Sequence, residues 1–219
     1  MTIVNKKIVQ HIPKTAGMAL RGALSWHTEN IEYSTAHKPL KFKNIINNGI
    51  YSNYPVYAVL REPTKWYNSW WNYTSSMQRS CAITHTLHKY SNNMDTFIKN
   101  SLDLTKFFGV AEERIKFLKE FLVRFSASHL IFFFDNFMEI TADSFNHQSI
   151  YEFYVSRQID SYTHLYRFED QLELFLRDIG FLYPLPKRNV TKYKDRLSVS
   201  LINEIGKKEE TLYKLYNEI

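Results

Sequence analysis

Apolar positions in the N-terminal third switch between two periods. Lys7 to Ile12 is a short apolar run broken only by Gln10 and His11 and closed by Pro13, which predicts a buried β-strand. Gly17 to Trp26 follows with Met18, Leu20, Ala23 and Leu24 at helical spacing. Ile31 to Ala36 reads as a second, weaker strand, and Phe42 to Asn47 as a short helix that Gly49 closes. Val56 to Leu60 is β-branched and apolar, the clearest strand of the chain. Glu62-Pro63 then opens a helix through Trp66, Trp70 and Tyr73, because proline is pre-shaped for the first helical position and lacks only an N–H that has no partner there. Strands alternating with helices predict a parallel sheet covered on both faces.

Beyond this third the pattern loosens and then recovers. Ser75 to Lys106 is polar and rich in histidine and asparagine, with no period, and reads as a variable substrate-side insertion around residues 75–106. Glu112 to Phe125 carries a helical stripe of Ile115, Leu118, Phe121, Leu122 and Phe125, leading into a strand at His129 to Phe134. Ser149 to Gln158 is predicted helical, Leu165 to Phe168 a short strand, Asp170 to Ile179 a helix stopped by Gly180, and Ser198 to Tyr216 one long terminal helix. No repeat or low-complexity tract divides the chain. The expectation is a single α/β domain over residues 1–219, with a parallel sheet of about four or five strands flanked by helices.

Composition narrows the partners. At 219 residues and 44% hydrophobic the chain can bury a real core, which argues against disorder as its main state. A formal charge of +6 points to an anionic partner: a nucleotide, a polyanionic sugar, nucleic acid or a membrane surface. Cys81 is the single cysteine, so an intramolecular disulfide is excluded and a reducing compartment fits. No signal-peptide pattern follows Met1, and no run of about 18 apolar residues occurs, so the expectation is a soluble, cytoplasmic protein without a membrane span.

Candidate chemistry begins in the loop His11-Ile-Pro-Lys-Thr-Ala-Gly17 between the first strand and first helix. There a parallel α/β sheet presents backbone N–H groups and a helix N-terminus to an anion. Lys14 adds a cation, Thr15 a hydroxyl, and Gly17 a place for close backbone approach. The same loop also reads as a plain tight turn with a surface lysine. It lacks the Gly-x-x-x-x-Gly-Lys-Ser/Thr spacing of nucleotide triphosphatases, which disfavours an ATPase. The segment resembles the 5′-phosphosulfate loop of carbohydrate sulfotransferases that use 3′-phosphoadenosine 5′-phosphosulfate (PAPS), the group of the heparan sulfate 2-O-sulfotransferases and bacterial relatives. The resemblance implies a P-loop-like sulfotransferase fold and a cofactor site at Pro13, Lys14, Thr15, Ala16, Gly17 and Met18. Lys14 would bridge the 5′-phosphate and the moving sulfuryl group. Met18 and Ala19 depart from the threonine or serine usual in that family.

A second segment, Val59 to Trp71, places Arg61 at the end of the third strand and Ser69 about two helical turns later. It resembles the family's 3′-phosphate motif Arg-Asp-Pro-x-x-Arg-x-x-Ser-x-Tyr. Arg61, Pro63 and Ser69 match, and Glu62, Lys65 and Trp71 are conservative replacements. The bland reading is an arginine ion pair at a helix start. Trp66, Trp70, Trp71 and Tyr73 either stack on adenine or a sugar ring or form core.

His37, at the end of the second strand, is the candidate general base, since imidazole titrates near neutral pH. The resemblance implies the same role there, and a surface or capping histidine is the alternative. His11 is expected to be structural, and His85, His88 and His147 are substrate contacts or nothing at all. His147-Gln-Ser149 and Tyr166-Arg-Phe-Glu-Asp170 resemble further family segments. Gln148 would touch acceptor or cofactor, or cap a helix. Pro186 to Lys192 resembles a segment that closes over the nucleotide, implying contacts from Asn189, Thr191 and Lys192. Read physically, it is a basic loop that screens phosphates or is simply solvated. No carboxylate or Cys/His cluster at ligand spacing calls for a metal. The implied function is in-line transfer of sulfuryl from PAPS to a hydroxyl acceptor, a carbohydrate by resemblance, with no nucleic acid partner. An ATP-dependent phosphotransferase using the same loop and a non-catalytic polyanion-binding module are the alternatives.

Overall fold

Thr2-Ile-Val-Asn-Lys-Lys-Ile-Val9 forms a hairpin whose first strand the periodicity does not predict. In the computed structural model, β1 (Thr2–Val4) and β2 (Lys7–Val9) pair antiparallel with Val4 opposite Lys7. Asn5 and Lys6 make the two-residue connection, and both have positive φ, 49° and 56°. That backbone is what a type I′ turn requires, and its twist matches the twist of the strands it joins. Asn suits the left-handed region because its short amide can bond locally. The structure describes residues 2–10, 12–15, 19–20, 22–24, 31–34, 53–76, 87–104, 149–159, 163–183, 185 and 195–219.

β3 (Ile31–Ser34) pairs antiparallel with β1, β4 (Val56–Leu60) joins β2 in parallel, and β5 (Thr163–Arg167) joins β4 in parallel. The sheet order is β3-β1-β2-β4-β5. It is therefore mixed, which corrects the all-parallel expectation. A two-residue connection can only return the chain antiparallel, whereas a parallel neighbour needs a crossover of about a dozen residues or more. The parallel half keeps its predicted character: Val56, Ala58, Val59 and Leu60 of β4 are all buried, as a strand covered on both faces must be.

The helices are α1 (Pro63–Ser76), α2 (Met94–Leu102), α3 (Ile150–Gln158), α4 (Leu172–Asp178), α5 (Val199–Lys208) and α6 (Glu210–Glu218). The chain forms two compact units. One comprises Met1–Trp66, Tyr154–Lys192 and Glu210–Ile219 and contains the sheet; the other comprises Tyr67–Phe153 and Tyr193–Glu209. In the sheet unit Val4, Val9 and Val59 meet Leu20, Ala23 and Leu24 of a helical stretch and Phe175, Leu176 and Ile179 around α4. Gly180, at φ 82°, ends α4: Phe181 N donates to Leu176 O at 2.8 Å and Gly180 N to Arg177 O at 2.9 Å, the paired bonds of a Schellman close.

Two further differences from expectation concern α2 and the terminal helix. α2 occupies the stretch in which no period was read. Its buried Met94, Phe97, Ile98, Ser101 and Leu102 form a helical stripe, and Asn93 caps it by accepting from Thr96 N at 2.9 Å. The terminal helix is not continuous: α5 ends at Glu209, whose side chain is buried and accepts a hydrogen bond from the Tyr67 hydroxyl. The helix predicted at Phe42 to Asn47, the helix at Glu112 to Phe125 and the strand at His129 to Phe134 lie outside the described residues. Among the described residues no helix is long and apolar enough to cross a membrane.

Candidate functional site

β2, β4 and β5 are parallel neighbours, so their C-terminal ends open on the same edge of the sheet. Backbone bonds carry the ladder past the strand ends: Gln10 N donates to Tyr57 O at 2.8 Å and Phe168 N to Leu60 O at 2.7 Å. Pro13-Lys14-Thr15, Arg61-Glu62 and Phe168-Glu169-Asp170 are therefore the segments leaving this edge, the position at which open α/β sheets bind ligands.

The first segment is tied down from two sides. Trp66 Nε1, on the first turn of α1 and fully buried, donates to Pro13 O at 2.7 Å. Thr15 Oγ1 donates to Ile12 O at 2.7 Å, so the single hydrogen of this hydroxyl closes the loop and only its lone pairs face other groups. Between these ties Lys14 adopts φ 68°, a left-handed backbone at a residue with a Cβ, which costs on the order of 1 kcal/mol. Strain of this kind persists where the surroundings impose it. Burial, with the Arg61 guanidinium adding repulsion, lowers the Lys14 ammonium to about 8.

Arg61 leaves β4 directly. Its Nη1 donates to Lys14 O at 3.3 Å, its Nε lies 3.4 Å from Glu169 Oε1, and its guanidinium carbon sits 4.7 Å from the centre of the Phe168 ring. The parallel register Leu60↔Arg167 brings Phe168 and Glu169 alongside it. Glu62 stands at the N-cap of α1. Its carbonyl accepts the first helical bond from Trp66 N at 2.8 Å, and its Oε2 accepts from Lys65 N at 2.9 Å. Burial would raise the Glu62 carboxyl, but bonds from Thr64, Tyr213 and the Lys65 and Thr64 amides outweigh it and hold the group below the usual carboxylate range. Arg167, in the same segment, is engaged bidentately by Asp170 at 2.9 and 2.8 Å.

Of the residues singled out in the sequence, the structure thus brings Pro13, Lys14, Thr15 and Arg61 together in the sheet unit. Ser69 is half-buried on α1 and belongs to the second unit. Ala16, Gly17, Met18, His37, Gln148, Asn189, Thr191 and Lys192 lie outside the described residues. The aromatic residues after Arg61 behave mainly as packing. Trp66 is core and pins the loop, and Trp70 is buried. Trp71 packs against His88 and Phe97 with ring centres 5.5 and 5.1 Å away and donates to Asp195 at 2.9 Å.

Sequence reasoning missed the carboxylate side of the site. Glu169 lies in the Tyr166 to Asp170 segment with no local sign of a role, and Tyr213 and Tyr216 fall within the predicted terminal helix. Their partners lie 47 to 151 residues away in the chain, beyond any local pattern. Chemically, the edge offers a lysine whose charge titrates near pH 8 and an arginine held beside it, a pair suited to phosphate or sulfate oxygens. The chain matches no family model, no curated protein and no solved structure.

Proposed function

We propose that this strand-end cradle binds PAPS and that the chain is a sulfotransferase acting on a hydroxyl acceptor, a carbohydrate in the first instance. The observation that carries the reading is the pairing of Lys14 and Arg61 on adjacent parallel strand ends, with Arg61 Nη1 3.3 Å from the Lys14 carbonyl. One small molecule with two anionic ends can touch both residues. A separate arginine site is also what recognition of a 3′-phosphate demands, since that group distinguishes PAPS from ATP.

In the proposed reaction the acceptor oxygen attacks sulfur, the new S–O bond forms, and the bond from sulfur to the bridging oxygen of the 5′-phosphate breaks. Adenosine 3′,5′-bisphosphate leaves. Lys14 neutralises charge growing on the departing 5′-phosphate, and Arg61 holds the 3′-phosphate in its planar fork. His37 takes the acceptor proton, a role that rests on the sequence resemblance. The same resemblance assigns Ser69, Gln148, Asn189, Thr191 and Lys192 to cofactor or acceptor contacts.

Calorimetry with adenosine 3′,5′-bisphosphate tests the reading. Lys14→Ala and Arg61→Ala should each weaken binding by about tenfold or more, the size of one charge-assisted contact. His37→Ala should retain binding and lose turnover. Preference for ATP with Mg²⁺ would instead favour a phosphotransferase. Steeply salt-dependent binding of anionic polymers without nucleotide binding would favour a polyanion module.

A further inference from the structure

Arg61 is held by more than its neighbours at the strand ends. Tyr213 and Tyr216 lie three residues apart on α6, and so on one face of that helix. Tyr216 OH donates to Glu169 Oε2 at 2.9 Å, and the same oxygen accepts Glu62 N at 3.3 Å. The other oxygen of Glu169 faces Arg61 Nε at 3.4 Å. Tyr213 OH donates to Glu62 Oε1 at 2.5 Å, where Thr64 Oγ1 also donates at 2.6 Å. Two tyrosines of the last helix thereby grip the two carboxylates that flank Arg61. With Glu169 in charge contact at its Nε edge, Phe168 on one face and a bond to Lys14 O at Nη1, the guanidinium is bordered on three sides before any ligand arrives.

We infer that Glu169 and Tyr216 are positioning residues for Arg61, and that α6 is thereby part of the anion site. The inference rests on the reading of Arg61 as an anion-binding group. It opposes a simpler role for Glu169, that of a carboxylate competing with the ligand for Arg61. The two roles predict opposite signs. Glu169→Gln raises the local charge by one, so a competing carboxylate, once removed, lets anions bind more tightly. A positioning carboxylate, once removed, makes them bind more weakly in spite of the added positive charge. Tyr216→Phe alters no charge and deletes one hydrogen bond.

The full chain is titrated with adenosine 3′,5′-bisphosphate and, separately, with inorganic pyrophosphate, at low and moderate salt. In parallel, solvent exchange of the Arg61 Nε–H is followed by ¹H–¹⁵N NMR without ligand, the signal being assigned through its loss in Arg61→Lys. Tyr216→Phe should weaken both probes about fivefold, because Tyr216 reaches the ligand only through Glu169 and Arg61, and Glu169→Gln about tenfold or more. Exchange at Arg61 should quicken in both variants. Unchanged affinity in Tyr216→Phe, or tighter binding in Glu169→Gln, overturns the inference. If the wild-type chain binds pyrophosphate and not the nucleotide, the PAPS reading falls and the pyrophosphate titration still decides the role of Glu169 and Tyr216. If the nucleotide binds and the variants leave its affinity unmoved, the positioning role alone falls. Binding of neither probe overturns both.

Discussion

Lys14 combines a left-handed φ of 68° in its backbone, partial burial of its ammonium, and the Arg61 guanidinium beside it. Burial and then Arg61 lower its ammonium to about 8, so the group is charged below that pH and loses its charge above it. An anion that contacts Lys14 favours the protonated form, so its affinity must decline where the free protein releases that proton. Binding of adenosine 3′,5′-bisphosphate should therefore be flat below about pH 7 and weaken by up to about tenfold per pH unit above about pH 8. Lys14→Arg should flatten the decline, because a guanidinium stays charged throughout. A wild-type affinity constant to about pH 9.5 would remove the Lys14 charge from the site. The residue type and its loop were legible in the sequence. Its backbone was not, because nothing in Pro-Lys-Thr marks a left-handed position and the Trp66 and Thr15 ties that impose it come from tertiary contact and a buried carbonyl.

Among the described residues β4, the start of α1 at Pro63 and the close of α4 at Gly180 are where the sequence predicts them, whereas β1 and α2 are not predicted. β4 has the predicted bounds, since five apolar residues need no partner to be recognised. β1 is three residues long, too short for a period, and its evidence is the Asn5-Lys6 turn. α2 was hidden by the polar residues before it, although Asn93 is there to cap it. Gly180 was recognised as a stop, and the structure supplies the reason. At φ 82° its position suits glycine, and an added Cβ would meet Asn5 Nδ2 at 3.0 Å. Gly180→Ala should cost about 1–2 kcal/mol in chemical denaturation, the penalty of a left-handed non-glycine residue. Most of that loss should persist in an Asn5→Ala background, which relieves the contact and leaves the φ strain. Full recovery there would mean that crowding, not backbone, makes the site glycine.

Across the molecule, the stability curve should carry the signature of one carboxyl. Burial raises Glu209 to about 7, opposed by bonds from Tyr67 and Ser149 and assisted by the nearby Glu152. The usual sign for a carboxylate is reversed, because the folded chain binds this proton more tightly than the unfolded one. The Glu209 contribution is therefore complete below about pH 4.5 and lost as pH rises to about 7, by on the order of 2–3 kcal/mol. Glu209→Gln should remove that decline and be more stable than the wild type near pH 8. Parallel pH–stability curves for the two proteins would show that Glu209 does not titrate in the folded state. The predicted terminal helix breaks at this residue: Glu209 is the C-cap of α5, and its buried side chain accepts from the Tyr67 hydroxyl.

The amino-acid sequence alone determined the alternation of strand and helix, the β4 strand, the start of α1 at Pro63, the stop at Gly180, and Lys14 and Arg61 as the cations at strand ends. Each of these follows from sterics and burial among residues close in the chain. Tertiary structure decided the antiparallel entry of β1, the division into two units, and the enclosure of Arg61 by Glu169 and the α6 tyrosines. The enclosure of Arg61 depends on groups more than a hundred residues apart finding one another, as Glu62 finds Glu169 across 107 positions and Tyr213 across 151. No local periodicity encodes such meetings; they exist only once the sheet has set which strand ends are neighbours.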